Sequence, residues 1–149
     1  MAKKIFQGRP LLPGKLEGKA LVSKAPFNTT GSYFENMFGG VTDSAPCTDP
    51  DNPELYEKDL ANMILCTTQT IGSTLGGAAI MGVVEMGVGP RALLFSHHID
   101  SVSAAGVFIE DIWKEKRVVT IDLLGDEFLE TVKNDDPIVI NEDGTVEVG

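Results

Sequence analysis

Cysteine is scarce in this chain, and the little there is does not cluster. Cys47 and Cys66 are the only thiols, nineteen positions apart, with no Cys-x-x-Cys pair. That excludes a disulfide-stapled scaffold and a cysteine-held metal cluster within the chain. Cys66 lies in an apolar run and is expected to be a buried small hydrophobe, whereas Cys47, after Pro46, is expected to be the more accessible thiol. Long hydrophobic runs are missing too, because glycine, charge or histidine interrupts every apolar stretch before it reaches spanning length. No membrane contact is expected. The start, Met1-Ala2-Lys3-Lys4, is positively charged but no apolar signal segment follows it, so a cytoplasmic protein is the expectation. Basic residues are the third scarcity: 12 Lys and Arg stand against 22 Asp and Glu, a net charge of −10. A phosphate backbone needs a contiguous basic face, so nucleic acid is not an expected partner.

The charge is unevenly spread. Residues 1–24 carry Lys3, Lys4, Arg9, Lys15, Lys19 and Lys24 against Glu17 alone. From Asp122 onward there are nine acids and only Lys133. The basic segment can meet an acidic partner or a phosphorylated substrate, but solvated faces of one domain are the simpler account. A chain of 149 residues that is 42% hydrophobic suits one domain, residues 1–149, with a real core.

What is there is a repeated alternation in an α/β pattern. Ile5–Gln7 and Gly18–Ser23 read as strands, with the punctuation of Arg9-Pro10-Leu11-Leu12-Pro13-Gly14 between them. Residues 25–60 are rich in Gly, Pro, Asn, Asp, Ser and Thr and read as a long loop, with a short helix near Pro53–Ala61. A loop of that length is functional, mobile or a disordered surface excursion. Strand Met63–Thr67 then precedes a helix over about Thr74–Met86, and strand Arg91–Ser96 precedes a second helix. That helix starts at an Asp100 or Ser101 cap and runs to about Lys114, with Val102, Ala105, Ile109 and Ile112 as its apolar stripe. Trp113 near its end is assigned to core or interface. Strand Val118–Ile121, a helical turn over Asp126–Val132, and a hairpin of Ile138–Ile140 with Thr145–Val148 complete the chain. Strand–helix repeats of this size imply parallel strands joined by right-handed crossovers.

The best candidate site is Gly72-Ser73-Thr74-Leu75-Gly76-Gly77, between a buried strand and a buried helix. Such a turn aims backbone N–H groups and the positive end of a helix dipole at one point. Ser73 reads equally well as an N-terminal cap and as a reactive hydroxyl. No Lys follows the last glycine, so this is not the Walker phosphate loop, and it is not the Gly-x-Ser-x-Gly elbow. If Ser73 does chemistry, it acts as a base in its alkoxide form, with main-chain amides holding the charge. His97 and His98 follow the second parallel strand, at the edge where α/β sheets bind ligands. Adjacent histidines in extended backbone face opposite ways and cannot chelate one metal. One can serve as a general acid; the plainer reading makes both the polar ends of a strand-to-helix turn. The acids Asp43, Asp49, Asp51, Glu54, Glu57 and Asp59 do not match a calcium loop and read as solvated.

With these motifs in hand, the chain resembles the aconitase X small subunit over nearly its full length. The resemblance is carried by Pro13-Gly14-Lys15-Leu16-Glu17-Gly18-Lys19-Ala20-Leu21-Val22-Ser23, Phe38-Gly39-Gly40-Val41-Thr42-Asp43, Gly72-Ser73-Thr74 with Gly76, Gly87-Val88-Gly89-Pro90-Arg91 and Asp143-Gly144-Thr145-Val146-Glu147-Val148. It implies a swivelling β/β/α domain, with a mixed or barrel-like sheet, and a heterodimer with a large subunit. It also implies that this chain binds no cofactor and that an iron–sulfur cluster belongs to that partner. The implied activity is a hydro-lyase acting on a hydroxy acid, in a family that includes phosphomevalonate and cis-3-hydroxyproline dehydratases. Ser73 would then be the base, and Gly72, Thr74 and Gly76 the substrate-binding residues. The alternative is a swivel module that serves assembly without catalysis. Two places differ from the family pattern: Ile71 and Gly77 stand where an arginine and a serine are frequent, and Asn28–Asn36 runs longer.

Overall fold

The computed structural model describes residues 2–149. Ten strands and five helices follow in chain order among them. The strands β1 (Lys4–Gln7), β2 (Arg9–Leu12) and β3 (Leu16–Val22) come first, then the short β4 (Phe27–Asn28). Helices α1 (Thr29–Ser32) and α2 (Phe34–Phe38) follow, then β5 (Ile64–Thr67), β6 (Thr70–Ile71) and α3 (Gly76–Glu85). The rest is β7 (Ala92–Phe95), α4 (Ser101–Lys114), β8 (Val119–Asp122), α5 (Asp126–Thr131) and the hairpin β9 (Pro137–Ile140) with β10 (Thr145–Val148).

Eight strands form one mixed sheet in the order β1-β10-β9-β3-β5-β7-β8-β2. The middle four, β3, β5, β7 and β8, are parallel, and the others join antiparallel. β1 and β2 are separated only by Gly8 yet occupy opposite ends of that order, so the sheet curls nearly into a closed barrel. Gly8 makes this turn because nothing larger fits: a Cβ there would lie 2.5 Å from the Ile121 side chain.

Strand alternation divides the apolar residues between two cores. Leu65, Leu93 and Phe95 face the helices, packed with Ile80, Val83 and Val107. Ile64, Cys66, Leu94 and Ile121 face the barrel interior, with Phe128 of α5 as its plug. Both faces of β5 and β7 are therefore buried, and this explains their unbroken apolar runs.

Several expectations are corrected here. The stretch read as punctuation, Arg9–Leu12, is an edge strand, tolerable for Pro10 because an edge position asks less of the backbone donor. No helix forms at Pro53–Ala61; Glu57 and Asn62 take positive φ (68° and 57°), and turns hinge on Asn52. Residues 25–60 are not a loose excursion. Tyr33, Ala45, Leu55 and Leu60 enter the helix-side core, and burying each leucine contributes about 2 kcal/mol against the ordering cost. Cys47 is buried there as well, 1% exposed, not accessible. Of the loop acids, Asp43, Asp51, Glu57 and Asp59 are exposed as expected and Asp49 is buried, while Asp59 accepts the Ala45 and Ala61 amides and Glu54 those of Lys24 and Ala25. The basic N-terminal segment meets the acidic C-terminal one within the molecule, through Lys3–Glu147, Lys4–Glu127 and Arg9–Asp122.

Helix α4 carries a further correction. Its cap is Asp100, but its buried face is Ser103, Gly106, Val107 and Glu110. Of the apolar stripe, Val102 and Ile109 are half-buried beside α3 while Ala105 and Ile112 are exposed, and Trp113, 75% exposed, is not in the core.

Candidate functional site

The Ser73 turn sits at the carboxyl edge of the parallel strands, as the strand–helix reading requires. After β5 the chain runs through β6, which pairs in parallel with β4, Phe27 opposite Thr70 and Asn28 opposite Ile71. Gly72 follows at φ +111°, a conformation open to glycine and strained for other residues. Ser73, Thr74 and Leu75 then form an exposed turn.

The helix begins at Gly76, two residues later than the sequence suggests, with Leu75 as its cap residue. Ser73 is therefore not the cap of α3. Its Oγ accepts the Leu75 N–H at 3.1 Å, and its carbonyl accepts the Gly76 N–H at 3.0 Å. The hydroxyl is accessible and one main-chain amide is directed at it. Thr74 is exposed and opens onto a groove of ≈ 350 Å³ between α3 and α4, lined by Ala78, Met81, Val102, Ala105 and Ile109. Gly76 lies beneath the turn, buried against Thr29 and Ser103. Ile71 and Leu75, both nearly half exposed, flank the hydroxyl with aliphatic surface.

The turn rests on a polar scaffold. Asp100 caps α4 by accepting the Val102 and Ser103 amides, both at 2.9 Å, and its own N–H donates to Thr70 Oγ1 at 3.1 Å. Partial burial alone would raise the Asp100 carboxyl; the bonds to Thr70, Ser103 and Val102 outweigh it and hold the group below the usual carboxylate range. Thr29 Oγ1 and Ser103 Oγ lie 3.3 Å apart and tie α1 to α4.

The two histidines diverge, as adjacent residues in extended backbone must. His97 Nε2 is 2.7 Å from Asp126 Oδ1 at the start of α5. His98 Nδ1 lies 4.0 Å from Asp122 Oδ2. Both rings are exposed. Among the described residues no three His, Cys, Asp or Glu side chains gather into a group able to hold a metal ion. The residues here do not fit an iron–sulfur centre. The β4–β6 pairing, which brings Asn28 and Thr29 beside the turn, escaped sequence reasoning, since two-residue strands leave no periodic signal.

Comparison with known proteins bears on this arrangement. The family model of the aconitase X swivel domain matches residues 5–148. The phosphomevalonate dehydratase small subunit of Archaeoglobus fulgidus is 26% identical over 144 residues, 96% of this chain and 97% of that protein. Its namesake from Pyrococcus furiosus is 29% identical over 107 residues, 72% of this chain and 73% of that one. In structure, the holo-form of Thermococcus kodakaraensis aconitase X superposes with a TM-score of 0.80 at 22% identity, covering 98% of each chain.

Proposed function

Because the chain belongs to the aconitase X swivel-domain family, we propose that it is the small subunit of a two-subunit dehydratase in which Ser73 is the base. The hydro-lyase role is supported by the family and by relatives named as dehydratase small subunits, which match 96% and 72% of this chain. The observation that carries the base assignment is the exposed Ser73 hydroxyl at the strand edge, with the Leu75 amide directed at its oxygen.

A serine alkoxide is far too basic to persist in water, so its charge must be met by fixed donors. The Leu75 N–H supplies one, and the positive end of the ten-residue helix α3 starts at the next residue. Ser73 then takes a carbon-bound proton, the C–H electron pair becomes the new double bond, and the hydroxyl on the neighbouring carbon departs, so the substrate loses the elements of water. Gly72 gives the turn its direction and Thr74 faces the substrate side, while Gly76 supports the turn from beneath. An iron–sulfur centre finds no ligand set among the described residues and is assigned to the large subunit. The substrate is a hydroxy acid, with phosphomevalonate the first to try.

The test is to co-express the chain with its large subunit and follow water elimination from phosphomevalonate, and from cis-3-hydroxyproline in parallel. Ser73→Ala is expected to lower turnover by about 10³-fold, the scale of a lost general base, with the complex intact. An intact complex in which Ser73→Ala turns over as wild type does would leave the chain an assembly module.

A further inference from the structure

Gly72 alone cannot keep the Ser73 turn in one conformation. A glycine at φ +111° has open alternatives, so a neighbour must select among them. The neighbour is Asn28. The parallel pairing of β4 with β6 sets Asn28 opposite Ile71, so the segments Thr29–Gly31 and Gly72–Thr74 leave the same edge side by side. Asn28 Oδ1 accepts the Gly31 N–H at 2.9 Å, which fixes the orientation of the carboxamide. The same carboxamide fills the space a Cβ on Gly72 would need: any side chain there would collide with Oδ1 and come 3.4 Å from Nδ2. Among the described residues Nδ2 donates to no acceptor, so its anchors are the Gly31 bond on one side and the Gly72 contact on the other.

We propose that Asn28 is the positioning residue of the Ser73 turn, its carboxamide bearing on Gly72 and so fixing where the Ser73 hydroxyl points. This rests on Ser73 being the base. A base displaced by about 1 Å loses up to about 10²-fold in rate, and the loss falls mainly on kcat because proton transfer demands tighter geometry than the substrate contact Thr74 makes from the same turn.

The experiment uses the two-subunit complex for kinetics and the full chain for spectroscopy. Asn28→Ser retains an acceptor for the Gly31 amide and removes the mass against Gly72; Asn28→Ala removes both. Both variants are expected to lower kcat by about 10- to 100-fold with KM held within about twofold. In ¹⁵N spectra of the full chain, the Gly72 and Ser73 amides should shift or broaden in Asn28→Ser, with its melting temperature near wild type. Should Asn28→Ala fail to fold, Asn28→Ser decides alone. Unmoved Gly72 and Ser73 signals, an unchanged kcat, or a raised KM at full kcat would each overturn the positioning role. Ser73→Ala, run alongside, separates the two ideas. Turnover lost there but kept in Asn28→Ser removes only the role of Asn28. Turnover kept in Ser73→Ala removes the base and this inference with it.

Discussion

Arg9 grips the fully buried carboxylate of Asp122 with both arms of its guanidinium, Nε to Oδ1 at 2.8 Å and Nη2 to Oδ2 at 2.7 Å. Asp122 also accepts the Ile99 amide at 3.2 Å. One carboxylate thus joins the edge strand β2, the end of β8 and the turn into α4. Asp122→Ala is expected to cost about 3 kcal/mol, because it unties three elements at a buried point. Arg9→Lys should also lower the melting temperature, since an ammonium cannot form the paired bonds. Thermal unfolding of both variants checks this; an Asp122→Ala chain as stable as wild type would show the pair to be idle.

Helices α3 and α4 cross where glycine meets glycine. A Cβ on Gly106 would lie 2.5 Å from the Gly77 carbonyl oxygen, and one on Gly77 would lie 2.6 Å from that of Val102. Gly106→Ala must push the helices apart, at about 2 kcal/mol for overpacking. Since α3 carries the Ser73 turn at its head, turnover of the complex should fall with it. Denaturant melts and a turnover assay test both parts; a variant that keeps full stability contradicts the close crossing.

The same crossing explains what the sequence hid. The stripe Val102, Ala105, Ile109 and Ile112 has helical spacing and is apolar, so periodicity alone sends it inward. The structure buries Ser103 and Gly106 fully and leaves Val102 and Ile109 half-buried, because at the crossing close backbone approach selects small residues over larger hydrophobic ones. β5 and β7 were legible because both faces are covered and the apolar run is continuous. β2 was not, because Pro10 breaks the pattern of a strand without breaking an edge pairing. The Ser73 turn announced itself through its glycines, whereas Asn28 depends on a two-residue strand pairing that only the folded chain reveals.

Neither thiol is free to react in the folded chain. Cys47 and Cys66 are both buried, and burial, with Asp136 nearby, pushes the Cys66 thiol well above its ordinary range. A chromogenic disulfide reagent should therefore find almost no reactive thiol until denaturant is added, and then two. A rapid single-thiol reaction in native buffer would place Cys47 at the surface after all.

Glu110 makes the fold sensitive to pH. It lies on the buried face of α4, and among the described residues no donor faces either oxygen of the ionised carboxylate. Burial first, then the hydrogen bond its protonated form gives Glu85, then the negative charge of Glu85, raise its carboxyl above the ordinary value; Lys116 and Lys114 offset only part of this. Glu85 is itself held by Lys116 at 2.8 Å and Lys114 at 3.5 Å, and these bonds leave Glu110 without a cation of its own. A raised value in the folded chain means that the folded state holds this proton more tightly than the unfolded state. Its contribution is fully present below the unfolded value, near pH 4, and is lost as pH rises through the folded one. Glu110→Gln removes the charge and keeps the shape. The variant is expected to gain about 1 kcal/mol over wild type at pH 7, and the gain should shrink toward zero as pH falls to about 4. Urea unfolding at several pH values measures that difference directly. A gain that is the same at every pH, or a loss at pH 7, would mean that the buried carboxyl is satisfied in its ionised form.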